Sequence, residues 1–161
     1  MNLRIISLLA AVLLVAACSE TPQNGAGTGT GGASNAPVAS NVVPGSKQDF
    51  QQNVGDRVFF EFNESNITPE GRATLQKQAE WLKRYNNVTI TVEGHCDDRG
   101  TREYNLALGE RRAAAVKRTL VALGVPGNRV AVISYGKERP IVVGDNEDAW
   151  RQNRVGISVI N

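Results

Sequence analysis

At 161 residues the chain has room for one ordinary domain plus tails. Its formal net charge is only +2, and that near balance argues against nucleic-acid binding, which shows a concentrated basic face. Of the two cysteines, Cys18 ends an apolar stretch and Cys96 lies far down the chain, so no disulfide framework is available and the core must hold by packing.

Residues 1–17 read as a secretory leader. Arg4 gives a positive start, Ile5 to Val15 is nearly all apolar, and small Ala16 and Ala17 precede Cys18. The apolar stretch is too short to span a bilayer, which needs roughly 20 residues. Val15-Ala16-Ala17-Cys18 resembles a bacterial lipobox. That resemblance implies lipid attachment at Cys18, and Ser19 in place of Asp implies sorting to the outer membrane. Each buried methylene contributes roughly 0.8 kcal/mol, so several acyl chains anchor stably where one does not. Residues 18–45 are Gly, Ala, Ser, Thr, Asn and Pro with almost no large apolar side chain. Such a segment cannot bury enough surface to offset its ordering entropy and is expected to be a flexible tether. About 27 residues of it give an r.m.s. span of roughly 30 Å and a taut limit of about 90 Å.

Residues 46–161 carry the periodicities of a folded domain. Ser46 can cap a short helix through Val54, with Asp49 as a weak capping-box partner. Arg57 to Phe62 reads as a buried strand. Thr68-Pro69-Glu70 combines a capping hydroxyl, a proline at the first turn and an acid, which predicts a helix start. Leu75, Ala79 and Leu82 then line one face, with Trp81 and Tyr85 near the end. Val88 to Val92 alternates as a strand and leads into a polar loop, Gly94 to Thr101. A second long helix is predicted from about Glu103 to Leu123, with Leu106, Gly109, Ala113, Val116, Leu120 and Leu123 as its buried stripe and Gly124 as its stop. A strand over Arg129–Tyr135, a loop, a short helix over Glu147–Asn153 and a strand from about Arg154 to Ile160 complete the order. This alternation predicts an α/β sandwich: a four-stranded mixed sheet with two long helices on one face, plus short helices. No internal repeat is apparent.

The densest polar cluster is Glu93-Gly94-His95-Cys96-Asp97-Asp98-Arg99-Gly100, closing a strand and opening a helix. Such a loop is a natural ligand site, because helix N-termini present free N–H groups. Further along, Asn105, Leu108 and Arg112 share a helix face by their spacing of three and four. A carboxylate at Asp97 folded back toward Arg112 is either an ordinary surface ion pair or half of a recognition site, and spacing alone leaves both open.

The runs Val92 to Thr101 and Tyr104 to Ala113 resemble the signature of the peptidoglycan-associated lipoproteins, within the OmpA-like domain family. Ser134-Tyr135-Gly136-Lys137-Glu138-Arg139-Pro140 and the late Asn153-Arg154 fit as well, and the resemblance spans roughly residues 57–161. It implies an OmpA-like fold and non-covalent binding of the peptidoglycan stem peptide, centred on diaminopimelate. The positions it points to are Asp97 and Arg112, with Asn105, Leu108, Phe62 and Asn63 beside them. The free end of diaminopimelate carries an ammonium and a carboxylate on one carbon, so a fixed acid and a fixed Arg answer both charges, and the planar Arg fork suits the carboxylate. On that expectation Asp97→Asn or Arg112→Ala weakens wall binding and leaves the fold intact. The resemblance further implies a lipid-anchored outer-membrane protein of the Tol–Pal system, active in envelope integrity and in outer-membrane invagination at division. Its implied protein partners are a TolB-like β-propeller and TolA. Three positions depart from the family: Asn63 stands where many members have Asp, Cys96 replaces a small residue, and Val155 follows Arg154 where a second Arg is common.

Two rival readings remain on the residues themselves. His95, Cys96 and Asp97 have the types of an enzyme's base, nucleophile and orienter. Adjacent side chains on an extended strand point to opposite sides, however, which favours a packed His beside a packed thiol and no enzyme. A metal site is disfavoured by the single His and the lack of a CxxC pair, and no cofactor motif is present. The other rival is a protein-interaction module using Arg111, Lys117 and Arg118, which an ordinary solvated helix face explains equally well.

Overall fold

The computed structural model describes residues 42–161; the leader, Cys18 and the tether up to residue 41 lie outside the described residues. Ser46 Oγ accepts from Asp49 N at 3.1 Å and starts α1 (Lys47–Asp49), which runs on as a π-turn over Phe50–Val54. Asp49 does not close a capping box onto Ser46. Its carboxylate instead accepts from Gly45 N and Trp81 Nε1, each at 2.8 Å, and from Asn53 Nδ2 at 2.7 Å. Phe50 meets the Trp81 ring edge-on and Tyr85 packs on it at a tilt, so the entry to the domain is fastened to the next long helix.

Those bonds have a pH consequence. Donation from Asn53, then Gly45 and Trp81, holds the Asp49 carboxyl below its ordinary 3.8. A depressed folded-state value means that the contribution is present above 3.8 and is lost as pH falls through the folded value. Asp49→Asn is therefore expected to melt below wild type at pH 7, with the gap closing as pH falls below 3.8. Thermal melts across that range check it, and a gap independent of pH would refute it.

The sheet is built from β1 (Arg57–Phe59), β2 (Ile90–His95), β3 (Val130–Gly136) and β4 (Val155–Ile160), in the order β1-β4-β2-β3. β4 runs antiparallel to both neighbours and β2 parallel to β3. The sheet is mixed, as expected. The long helices are α2 (Pro69–Arg84), capped by Thr68 Oγ1, and α3 (Arg102–Ala122), capped by Thr101 Oγ1. α4 (Glu147–Asn153) is short. Alternate sheet positions Ile90, Val92 and Val130 join Leu75, Ala79 and Leu82 of α2 and Ala113, Val116 and Leu120 of α3 in one core. Among the described residues no helix is long and apolar enough to cross a membrane.

Two expectations need correction. The strand expected over 57–62 ends at Phe59: Phe60 N donates to Arg154 O at 2.9 Å, and the chain then turns through Asn63 at φ +58°. That turn carries Phe62 and Asn63 away from the sheet. Leu106, expected in the buried stripe of α3, is 44% exposed, whereas Asn105, Leu108 and Arg112 are buried. α3 is enclosed on the sheet side and on one flank, and that flank is polar.

What fixes this flank is a glycine contact. Gly94 of β2 and Gly109 of α3 lie so close that a Cβ built on Gly94 would sit 1.9 Å from Gly109 O. The helix therefore rests directly on the C-terminal end of β2, with its first turns beside the loop that leaves that strand. Asn105 Nδ2 donates to Arg99 O at 2.7 Å and Thr101 O at 3.0 Å. Lys137 Nζ donates to Asp98 O at 3.0 Å and Gly100 O at 2.6 Å, so the loop is stapled from two sides.

Candidate functional site

Where the stapled loop, the first turns of α3 and the turn after β1 meet, a cleft of about 220 Å³ opens. Phe62, Asn63, Asp97, Asn105, Leu108 and Arg112, all singled out in the sequence, line it together with Arg99, Gly100 and Tyr104. Residues far apart in the chain thus converge on one concave surface, the usual form of a small-ligand site.

Its electrostatics differ from a simple Asp97–Arg112 pair. Arg112 is fully buried and its fork is spent on the backbone: Nε donates to Glu64 O at 2.8 Å, Nη1 to His95 O at 2.9 Å and Nη2 to Glu61 O at 3.1 Å. Burial pulls its pKa below the ordinary arginine value, against the opposing pull of Cys96 and Asp97. Asp97 is held by other arginines. Arg99 Nη2 donates to its Oδ2 at 2.6 Å and Arg154 Nη1 at 3.5 Å. Arg154, also buried, is itself fixed by Phe60 O at 3.1 Å and Glu147 Oε1 at 2.7 Å. Asp97 thus faces two guanidiniums, Arg99 and Arg154, with Glu147 on the far side of Arg154 and Arg112 in the same cleft wall as Arg99.

The remaining parts of the wall are positioned locally. Asn105 is buried by its clasp on the loop, Leu108 gives an apolar floor, and the Tyr104 hydroxyl donates to Asn63 Oδ1 across the mouth. Phe62, 57% exposed, lies over the Arg99 guanidinium at 4.0 Å. Gly100 and Tyr104 line the cleft without having been singled out in the sequence, and so does Arg99. It stood in the polar cluster two positions after Asp97, but its second stacking partner, Trp150 at 4.1 Å, had no local signal.

The residues of the enzyme reading have separate partners. His95 Nδ1 lies 2.9 Å from Arg139 O, while the Cys96 thiol donates to Asn105 O at 3.3 Å. Burial pushes the thiol pKa above its ordinary value, so Cys96 is not poised as a thiolate. Among the described residues no cluster of His, Cys, Asp and Glu could hold a metal ion. Arg111 and Arg118 are exposed and Lys117 half-buried.

The OmpA family matches residues 59–154. The chain is 50% identical over 155 residues to a peptidoglycan-associated lipoprotein of Rhizobium meliloti, covering 94% of this chain and 84% of the relative. Among solved structures, the peptidoglycan-associated lipoprotein from Burkholderia pseudomallei aligns with a TM-score of 0.64 at 40% identity, over 66% of this chain and 90% of that one. The C-terminal domain of Helicobacter pylori MotB, 24% identical, aligns at 0.62 over 66% and 84% and shares the fold alone.

Proposed function

This chain belongs to the OmpA family, with peptidoglycan-associated lipoproteins among its relatives, and from that premise we propose that it binds peptidoglycan non-covalently through the cleft. The ligand group is the free end of diaminopimelate in the stem peptide, its ammonium directed to Asp97 and its carboxylate to the arginine side. The observation that carries the reading is the convergence of a buried acid and two guanidiniums, Arg99 and Arg112, on one ligand-sized cleft, with Arg154 bracing the acid from outside it. Lipid on Cys18 and a tether through residue 45 complete an outer-membrane anchor whose periplasmic domain holds the wall. In the same reading the protein serves a Tol–Pal system in envelope integrity and division. Exposed Phe62 and Tyr104 in the cleft wall supply an apolar rim for a TolB-like partner that competes with the wall.

The test is calorimetric titration of the chain, held in detergent, with a stem peptide ending in diaminopimelate. Asp97→Asn removes the charge that meets the ammonium while Arg154 keeps Glu147 and Phe60 O, so the fold should persist. Affinity should fall about 10- to 100-fold, the range expected for a charge-assisted hydrogen bond. Undiminished affinity in that variant would remove the cleft from the mechanism.

A further inference from the structure

Away from the cleft, the chain enters the fold through a segment that is fastened differently from everything after it. Residues 45–54 are held on α2 by side chains. Asp49 accepts from Trp81 Nε1 and from Gly45 N, each at 2.8 Å, which ties the entry point to the helix. Fully buried Phe50 meets the Trp81 ring, and a Cβ built on Gly45 would sit 2.9 Å from the Tyr85 ring. Among the described residues the backbone of 45–54 makes no hydrogen bond to another strand or long helix; Phe50 N donates to Ser46 O and Gly55 N to Phe50 O. The fastening changes at Gly55, where the chain turns at φ +90°. Gln78 Nε2 donates to Gly55 O at 2.7 Å while its Oε1 accepts from Ser158 Oγ at 2.9 Å. Ser158 N donates to Asp56 O at 2.7 Å, and β1 then pairs with β4 through Phe59. Past Gly55 the chain cannot leave without breaking the sheet. Before it, only side-chain contacts must give way.

We infer that residues 45–54 are a strap, which load on the preceding chain pulls off α2 before the sheet yields, lengthening the link while the cleft stays closed on its ligand. The use of the strap rests on the reading of Cys18 as membrane anchor and of the cleft as wall grip; its release does not. Load that arrives along the chain meets the Asp49 clasp first and the β1–β4 ladder only afterwards. Once off α2 the strap cannot keep its helical turns, because α1 and the π-turn are far shorter than a helix that is stable alone. Ten residues extend to about 35 Å and span about 15 Å when helical, so release adds roughly 20 Å. Among the described residues no cleft side chain hydrogen-bonds to 45–54, and the ladder that carries β1 toward the turn at Asn63 remains. When the load falls, the Asp49 carboxylate finds Trp81 Nε1 again and the strap re-docks.

The experiment stretches single molecules of the full chain, in detergent, between handles on azide-bearing amino acids placed at Asn35 and at Arg118, which is exposed on α3. The expected trace has an early, reversible lengthening of about 20 Å, at a load below that which unfolds the domain. At a fixed load Asp49→Asn should raise the open-to-closed ratio about 10- to 100-fold, the scale of a lost charge-assisted bond. Trp81→Phe keeps the ring and removes one donor, so it should raise the ratio about 10-fold. In both variants the later unfolding should stay at the wild-type load, because the strap is already off; this also shows that the rest is folded. A single rip with no early step in wild type overturns the inference. So does an early step that neither substitution moves. A fluorescent stem peptide ending in diaminopimelate gives the second readout: it should stay on chains held between the two steps, and its loss at the first step would overturn the separation of strap from cleft. If that peptide does not bind the unloaded chain, the reading of the cleft falls, and the length trace alone decides the strap.

Discussion

Replacing Gly94 with alanine should cost the domain more than about 3 kcal/mol, beyond the usual range for an overpacked site. The added methyl would lie 1.9 Å from Gly109 O and 2.6 Å from Gly109 C, and neither atom can rotate away. The strand cannot yield either, because Gly94 is paired with Gly156 of β4 on one side and Ser134 of β3 on the other. The remaining relief is to lift α3 from the sheet, which separates Val116 and Leu120 from Ile90 and Val92 and spreads the cleft. For a domain of this size the melting temperature should drop by roughly 10–20 °C. Gly109→Ala is the control. Its Cβ meets the Ser134 hydroxyl at 2.3 Å and Gly94 O at 2.9 Å, and alanine recovers about 1 kcal/mol of helix propensity. It should cost less, and Ser134→Ala should rescue it in part while doing nothing for Gly94→Ala. Equal melting temperatures for Gly94→Ala and wild type would show that the helix does not bear on the strand at this point.

The same contact explains which parts of the molecule could be read in advance. Helix limits were legible because their signals are local: Thr68-Pro69-Glu70 opens α2, and Gly124, at φ +95°, follows α3 as expected. Arg57-Val58-Phe59-Phe60-Glu61-Phe62 reads as one strand by composition. It is cut short because, after Phe60 makes one more in-register bond to Arg154 O, the chain turns back on itself, with Glu64 N donating to Glu61 O and Asn63 at φ +58°. Leu106 fits a helical stripe by spacing, yet the Gly94–Gly109 approach rotates α3 so that Asn105, Leu108 and Arg112 are enclosed and Leu106 faces out. Periodicity reports that a helix is buried on one side. It does not report a second, polar flank that is buried by a loop. Six cleft residues were legible from the family signature and its spacing, and all six line the cleft, whereas Arg99, Gly100 and Tyr104 were not singled out. Their pairing was not, since Asp97 could reach any of three arginines and only the fold decides which are already engaged.

That engagement changes what a substitution at Arg112 should do. The family resemblance implies that Arg112→Ala weakens wall binding and leaves the fold intact; the buried fork and its three carbonyl partners argue against the second half. Arg112→Met keeps much of the side-chain volume but leaves the His95 carbonyl buried without its donor, and frees the turn at Glu61 and Glu64 to move. The expected loss is about 2–4 kcal/mol, the cost of breaking a buried charged network. Arg112→Lys should recover only part, because one ammonium on a flexible stem cannot span acceptors on β2 and on the 61–64 turn at once. Binding should fall too, but without selectivity. A displaced turn carries Phe62 and Asn63 with it, so stems ending in diaminopimelate and in lysine should weaken by similar factors. An Arg112→Met chain as stable as wild type, with only its preference for the carboxylate-bearing stem gone, would mean that this guanidinium serves the ligand and not the fold.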